Sequence, residues 1–272
     1  MKFSIKTLAA AVVMAAAATG AQADIVTGSV NPGNGELFFN IWDANGSYTR
    51  GLNVRIDSFQ TELATTGNFF KTWASDSHLN TWLASADVST LQWNVVANDT
   101  VGANRLLTTY TVPEMAVTKQ NDVIRSAGAA VTAFLNNVNP EMPNVAGASV
   151  SVDSGSAAYA GKAAFNNSIG GLLNFSNAGT LANDTFASGL GFMRIDAAST
   201  GIAKSVYNEY YDPSNNTLAS ITNPVGGNVV KVYFDANNTL HIAAVPEPES
   251  YAMLLAGLGM IGFMARRRNK RA

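Results

Sequence analysis

The chain has 272 residues, with 17 basic against 19 acidic side chains for a formal net charge of −2, and it contains no cysteine. The missing cysteine excludes disulfide staples, cysteine-ligated zinc and a thiol nucleophile together. The length permits one or two domains and is ample for a core that needs no staples.

Met1 to Ala23 has the three parts of a secretory signal peptide. Lys2 and Lys6 form a basic start, Leu8 to Ala18 an apolar stretch, and Ala21-Gln22-Ala23 a small-residue cleavage site. Cleavage is expected before Asp24, by signal peptidase at the end of the secretion machinery.

The next stretches carry strand signals. Leu37, Phe39 and Ile41 alternate with Phe38, Asn40 and Trp42, and Asp43-Ala44-Asn45-Gly46 then offers a hairpin turn, because Asn-Gly tolerates positive φ. Leu52, Val54 and Ile56 alternate with Asn53 and Arg55 as a half-buried strand. Leu91, Trp93 and Val95 repeat the pattern, and Arg105 to Val112 is placed to pair with them. Val230, Val232 and Phe234, followed by Asp235-Ala236-Asn237-Asn238 and then Leu240 and Ile242, predict a closing hairpin. The similarity of this last turn to Asp43-Ala44-Asn45-Gly46 reflects shared turn chemistry rather than duplication.

Two segments have helical spacing. Val123, Ile124, Ala127, Val131, Phe134 and Leu135 predict a helix between Thr118 and Asn136, stopped by Asn136-Asn137 and Pro140. Asp76 to Ala86, with Leu79, Trp82 and Leu83, is a weaker candidate. From Glu141 to Thr185 small residues dominate, and loops with short strands or helical turns are expected. No Pro- or Ser-rich linker divides this body. The fold class expected is mainly β (α+β), an antiparallel β-sandwich-like body with helical insertions.

Catalytic motifs are missing from the sequence: no Gly-x-Ser-x-Gly elbow and no His-Glu-x-x-His helix occurs. Gly155 to Lys162 approaches a phosphate loop, but its spacing is one residue too long and Ala163 stands where a magnesium-holding hydroxyl belongs. His78 is expected on a helix surface and His241 on the outward side of its strand. Glu36, Asp43, Asp57, Glu62, Asp196, Glu209 and Asp212 offer carboxylates for a glycosidase pair, but the sequence cannot choose two. Asp43-Ala44-Asn45-Gly46 and Asp212-Pro213-Ser214-Asn215-Asn216 read as turns rather than calcium loops, since neither supplies an alternating ligand series with a closing Glu. No catalytic residue, metal site or cofactor is assigned. Trp42, Trp73, Trp82 and Trp93, with Tyr207, Tyr210 and Tyr211, are aromatic material for stacking sugars. Trp42 is displayed if the Leu37/Phe39/Ile41 face is core, which makes Trp42, Tyr210 and Tyr211 the candidate sugar-stacking set, whereas Trp93 shares an apolar face and is expected inside.

The chain ends in Val245-Pro246-Glu247-Pro248, an apolar run from Tyr251 to Ala265, and the basic cluster Arg266, Arg267, Arg268, Lys270 and Arg271. The two prolines resist helix and sheet. About 15 residues at 1.5 Å rise reach about 22 Å, short of the roughly 30 Å hydrocarbon core, yet such a run inserts where flanking residues snorkel or the bilayer thins. The basic cluster then acts as a cytoplasmic stop by the positive-inside rule. The two terminal segments hold seven basic residues and two acidic ones, Glu247 and Glu249, which leaves 10 basic against 17 acidic residues in 24–244, about −7. That balance argues against nucleic acid, whose binding rests on phosphate neutralisation.

In order and position, Pro246, Glu247 and Pro248, the glycines at 257, 259 and 262, and Arg266 to Arg268 closely resemble the PEP-CTERM sorting signal of Gram-negative bacteria. The resemblance covers about the last tenth of the chain. It implies an exosortase-like membrane protease as partner, removal of the tail near the PEP motif, inner-membrane anchoring on the periplasmic side before processing, and delivery to the outer surface or extracellular matrix, in a setting where exopolysaccharide is often made. The organisation expected is a signal peptide at 1–23, an exported body at 24–244 and a sorting signal at 245–272. The body is expected to be a non-catalytic surface or matrix protein, with an exopolysaccharide-binding module as the alternative and a secreted glycoside hydrolase behind both.

Overall fold

The computed structural model describes residues 24–30, 33–66, 69–102, 104–110, 118–143, 147–166, 184–197, 202–206 and 228–246. Residues 1–23, expected to be a signal peptide, together with Tyr210, Tyr211, Glu209, Asp212, Glu247, Pro248 and the apolar and basic parts of the tail, lie outside the described residues.

The elements in chain order are β1 (Glu36–Trp42), β2 (Gly46–Arg55), α1 (Ile56–Thr66), β3 (Phe69–Trp73), α2 (Ser77–Leu83), β4 (Gln92–Asn98), β5 (Arg105–Tyr110), β6 (Thr118–Gln120), α3 (Asn121–Val138), β7 (Ser149–Asp153), β8 (Leu190–Asp196), β9 (Ile202–Val206), β10 (Asn228–Phe234) and β11 (Leu240–Pro246), with 3₁₀ turns at Asn139–Glu141 and Ala160–Lys162. All strands join one antiparallel sheet ordered β3-β11-β10-β8-β5-β4-β1-β2-β7, with β9 beside β8 and β6 beside β9. The sheet curls into a half-barrel. The strands thus form one continuous curled sheet rather than two stacked ones. The reason is pairing that no local pattern reveals: β5 and β8 align Arg105 with Asp196 across more than 80 residues of chain, welding the first half of the body to the second.

Each face of the curl has its own core. Leu37, Phe39 and Ile41 of β1 point inward with Tyr48, Trp93, Val95, Phe192, Val232, Phe234 and Ile242, all fully or nearly fully buried. α1 adds Ile56, Phe59 and Leu63 at helical spacing to this interior, where the Phe59 ring meets Phe69 edge-on at 4.7 Å and Phe192 at 5.6 Å. Phe38, Val96, Leu106, Met193 and Ile195 point the other way, against Ile124, Ala127, Val131, Phe134 and Leu135 of α3. The rings of Phe38, Phe134 and Phe165 pack together there, with centroids 5.4 to 6.3 Å apart. Because α3 and the segment around the 3₁₀ turn at Ala160–Lys162 together cover the outer face, all seven residues of β1 are buried. The alternation read from its sequence separates two cores, not core from solvent.

The tight turns form as their residue types dictate. Asp43 Oδ1 accepts from the N–H groups of Asn45 (2.8 Å) and Gly46 (2.9 Å), and Asp235 Oδ1 accepts from Asn237 and Thr239 (both 2.9 Å), so both hairpin turns are wound around an aspartate side chain. Three asparagines are instead buried on the outer-core side. Asn40 donates to Asn94 (3.0 Å), Asn94 to Asn166 (2.7 Å) and Asn166 to the Ala160 carbonyl (2.8 Å), a buried amide relay that fastens the 3₁₀ turn at Ala160–Lys162 to the sheet.

Candidate functional site

The curl does not close by strand pairing. β3 ends the sheet on one side, and β7 covers β2 only over Gly46 to Arg50. Side chains bridge the seam instead. Trp73 Nε1 donates to the Leu52 carbonyl at 3.1 Å, Arg50 Nη1 to the Ala74 carbonyl at 2.6 Å, and the Tyr48 hydroxyl to Asp76 Oδ2 at 2.7 Å. Asp76 also caps α2 by accepting from the Leu79 N–H at 2.9 Å. Burial pushes the Asp76 carboxyl up, but the Leu79 N–H, the Tyr48 and Ser149 hydroxyls and Arg50 outweigh it and hold the group below the usual range. Burial and the adjacent Asp76 raise the Tyr48 phenol, which remains a neutral donor.

Beside these bridges the seam opens into a cleft of about 410 Å³, lined by Leu52, Asn53 and Val54 from β2 and Lys71, Thr72 and Trp73 from β3. The cleft exists because β2 bulges there. Glu36 pairs with Arg55 and Phe38 with Gly51, so Leu52, Asn53 and Val54 oppose Leu37 alone, and Asn53 takes φ +53°. Glu36 holds the bulge from behind: its Oε1 accepts from the Asn53 N–H at 2.7 Å and its Oε2 from the Val26 N–H at 3.4 Å. A Cβ on Gly51 would come within 2.9 Å of that Oε1, so the position takes glycine. Burial raises the Glu36 carboxyl above the usual range despite the opposing N–H groups and Arg55. The cleft wall therefore offers a half-buried indole, an ammonium, a hydroxyl and an amide. Lys71 Nζ lies 3.2 Å from Glu62 Oε2.

The tryptophans sort differently from the sequence expectation. Trp42 is 5% exposed, packed in the cluster beneath α3, so it is not displayed. The premise was right, since Leu37, Phe39 and Ile41 are core, but the opposite face of β1 is covered as well. Trp82 and Trp93 are also buried, and Trp73 is the half-exposed one. Its segment, Phe69-Phe70-Lys71-Thr72-Trp73, is rich in aromatic and β-branched residues that favour strands, which was the available signal.

The candidate carboxylates among the described residues each have their own partners, and only Asp57 and Asp196 come together, around Arg105. Asp43 sits in its turn and also accepts from the Asp87 N–H at 2.8 Å. Asp57 and Asp99 share the Arg105 guanidinium at 2.7 and 2.6 Å, and Asp196 faces Arg194 at 2.6 Å with its carboxyl raised by burial. Glu62 pairs with Lys71. His78 is exposed on α2, its Nδ1 3.0 Å from the Ser149 carbonyl, and His241 Nε2 meets Asp235 Oδ2 at 2.9 Å. Among the described residues no group of three His, Cys, Asp or Glu side chains is placed to hold a metal ion, and no helix is long and apolar enough to cross a membrane.

The sorting element begins inside the sheet. β11 pairs with β3 through Ala244↔Phe69 and with β10 through Val245↔Val229 and Pro246↔Asn228. Pro246 thus stands at a strand end, beyond the last residue of β11 that β3 covers, where a missing N–H is tolerated. No curated protein and no solved structure matches the chain. Residues 244–268 match the family model of the PEP-CTERM protein-sorting motif, which implies an exported protein, membrane-anchored before an exosortase-like membrane enzyme processes it.

Proposed function

We propose that this chain is a non-catalytic exported protein of a Gram-negative cell surface or extracellular matrix, delivered by its tail and freed from the membrane by an exosortase-like protease. The observation that carries the reading is the sorting motif at 244–268. Support for a non-catalytic body comes from the carboxylates themselves: the five that are placed serve a bulge, a turn and three ion pairs, and none faces a second carboxylate across the seam cleft. Intact-mass analysis of the protein recovered from its host is the test. We expect a form that begins at Asp24 and lacks Arg266 to Arg271; extracellular material that keeps the basic tail overturns the processing claim.

A second reading, binding of exopolysaccharide, is favoured by the seam cleft. Its half-buried Trp73 beside Lys71, Thr72 and Asn53 joins a flat apolar surface to hydrogen-bonding groups, the combination by which proteins hold sugars. Retention of the body on the host's own polysaccharide, lost on Trp73→Ala, supports this reading, and equal passage of both forms through the polysaccharide leaves the body a scaffold.

A further inference from the structure

Phe70 is 64% exposed, the second highest among the exposed large apolar residues of the described chain, and it sits one residue into β3 on the outer face of the sheet. Its ring continues a stripe across three strands. His241 lies 6.3 Å from it, Tyr233 stacks on His241 at 4.4 Å and 4°, and Phe186 meets Tyr233 at 6.5 Å. Phe70 is level with Ala243 of β11, and Ala243 is level with Lys231 of β10, an outward residue between inward Val230 and Val232. The outer face of β3, β11 and β10 therefore presents the exposed Phe70 ring beside the half-buried rings of His241 and Tyr233 and the half-buried Lys231, whose Nζ donates to the Gly189 carbonyl at 3.3 Å, with Ala243 buried between them.

The position of this face gives it an occupant. Ala243 lies three residues before Pro246, about 10 Å along the strand. From Pro246 to the first residue of the apolar run, Tyr251, five residues span at most about 17 Å in any conformation. An anchored precursor cannot hold this face far from the bilayer. Aromatic rings and lysine are the side chains that settle at a membrane–water interface, the rings at headgroup depth and the ammonium reaching the lipid phosphates.

We propose that Phe70, with Tyr233, His241 and Lys231 around it, is a membrane-contacting patch that lays the body of the unprocessed precursor on the lipid surface and so sets the PEP motif at the depth of its membrane protease. The inference rests on the reading of the tail as a membrane anchor. Because the chain has no cysteine, single-site labelling needs no background substitutions. The test uses the full chain reconstituted in vesicles containing anionic lipid, carrying an environment-sensitive fluorophore at Phe70→Cys, at Thr72→Cys on the same face, at Val88→Cys, or at Ala256→Cys in the tail. Val88, 60% exposed, precedes β4, whose first residues lie at the opposite end of the sheet from Pro246. Expected are a blue shift and loss of emission with lipid-borne quenchers at Phe70 and the tail site, a weaker response at Thr72, and none at Val88. A quenched tail site beside an unaffected Phe70 site overturns the patch while the anchor stands. An unquenched tail site removes the anchor and the patch with it. A concentration-dependent shift at Phe70 without vesicles assigns the face to a second copy of the chain and overturns the membrane contact.

Discussion

Glu36 opens β1 and Asp43 follows it, and the fold drives their titration in opposite directions. Burial pushes both carboxyls up. At Glu36 it prevails over the Asn53 and Val26 N–H groups and Arg55. At Asp43 the N–H groups of Asp87, Asn45 and Gly46 prevail and the carboxyl lies below the usual range. The linkage follows from the signs. Asp43 contributes stability that is present above the unfolded aspartate pKa and is lost as pH falls through the lower folded value. Glu36 favours the fold when protonated, and that contribution is lost as pH rises from the unfolded glutamate pKa through the higher folded one. Asp43→Ala should therefore cost about 1–3 kcal/mol near neutrality, the loss expected when buried N–H groups go unpaired, and the gap from the parent should narrow in acid. Glu36→Gln should match the parent in acid and gain on it as pH rises. Urea unfolding of the three proteins across the carboxylate range measures both trends; curves that run parallel at every pH contradict the assignment.

At the scale of elements, local chemistry made some parts legible and left others unreadable. The β1–β2, β4–β5 and β10–β11 hairpins were visible because each joins a period-two pattern to an Asp-, Asn- or Gly-bearing turn, and their registers place those turns as expected. α3 was visible because it lies on the outer core with one apolar stripe. α1 was not, although Ile56, Phe59 and Leu63 have helical spacing, because Leu52, Val54 and Ile56 also fit a strand and the helix starts at the residue that both patterns share. β8 was hidden for a different reason: Leu190 to Ile195 is buried on both faces, so Leu190-Gly191-Phe192-Met193 offers no alternation to read. The seam cleft was illegible for a third. It depends on a bulge at Asn53 and on where β3 meets β2, and neither leaves a local mark beyond one Asn and one Gly. Burial of Trp42 likewise depends on a distant segment, the stretch around Tyr159 and the 3₁₀ turn at Ala160–Lys162, which lies against β1.

For the whole molecule, the location of the sorting motif constrains how the protein can be matured. β11 is not a loose connector, since it is paired on both sides and places Leu240, Ile242 and Ala244 in the inner core at 2%, 0% and 4% exposure. Burying Leu and Ile is worth roughly 1.5–3 kcal/mol each, and losing β11 would also strip β3 of its strand partner and turn β10 into a bare edge. Against a typical net stability of about 5–15 kcal/mol, that loss is enough to unfold the body. Residues beyond Pro246 have no such part in the described sheet. A chain ending at Pro246 should therefore unfold in one cooperative transition, with a midpoint close to that of the detergent-solubilised full chain. A chain ending at Thr239 should show no cooperative transition and should expose Trp93, which is fully buried in the intact sheet. Thermal and denaturant unfolding followed by circular dichroism and tryptophan fluorescence distinguishes the two. Cooperative unfolding of the shorter chain would refute the role given to β11. If the predicted difference is found, the protease must cut beyond the part of β11 that holds Leu240, Ile242 and Ala244 to release a folded body, and a cut at Thr239 releases one with its closing hairpin broken.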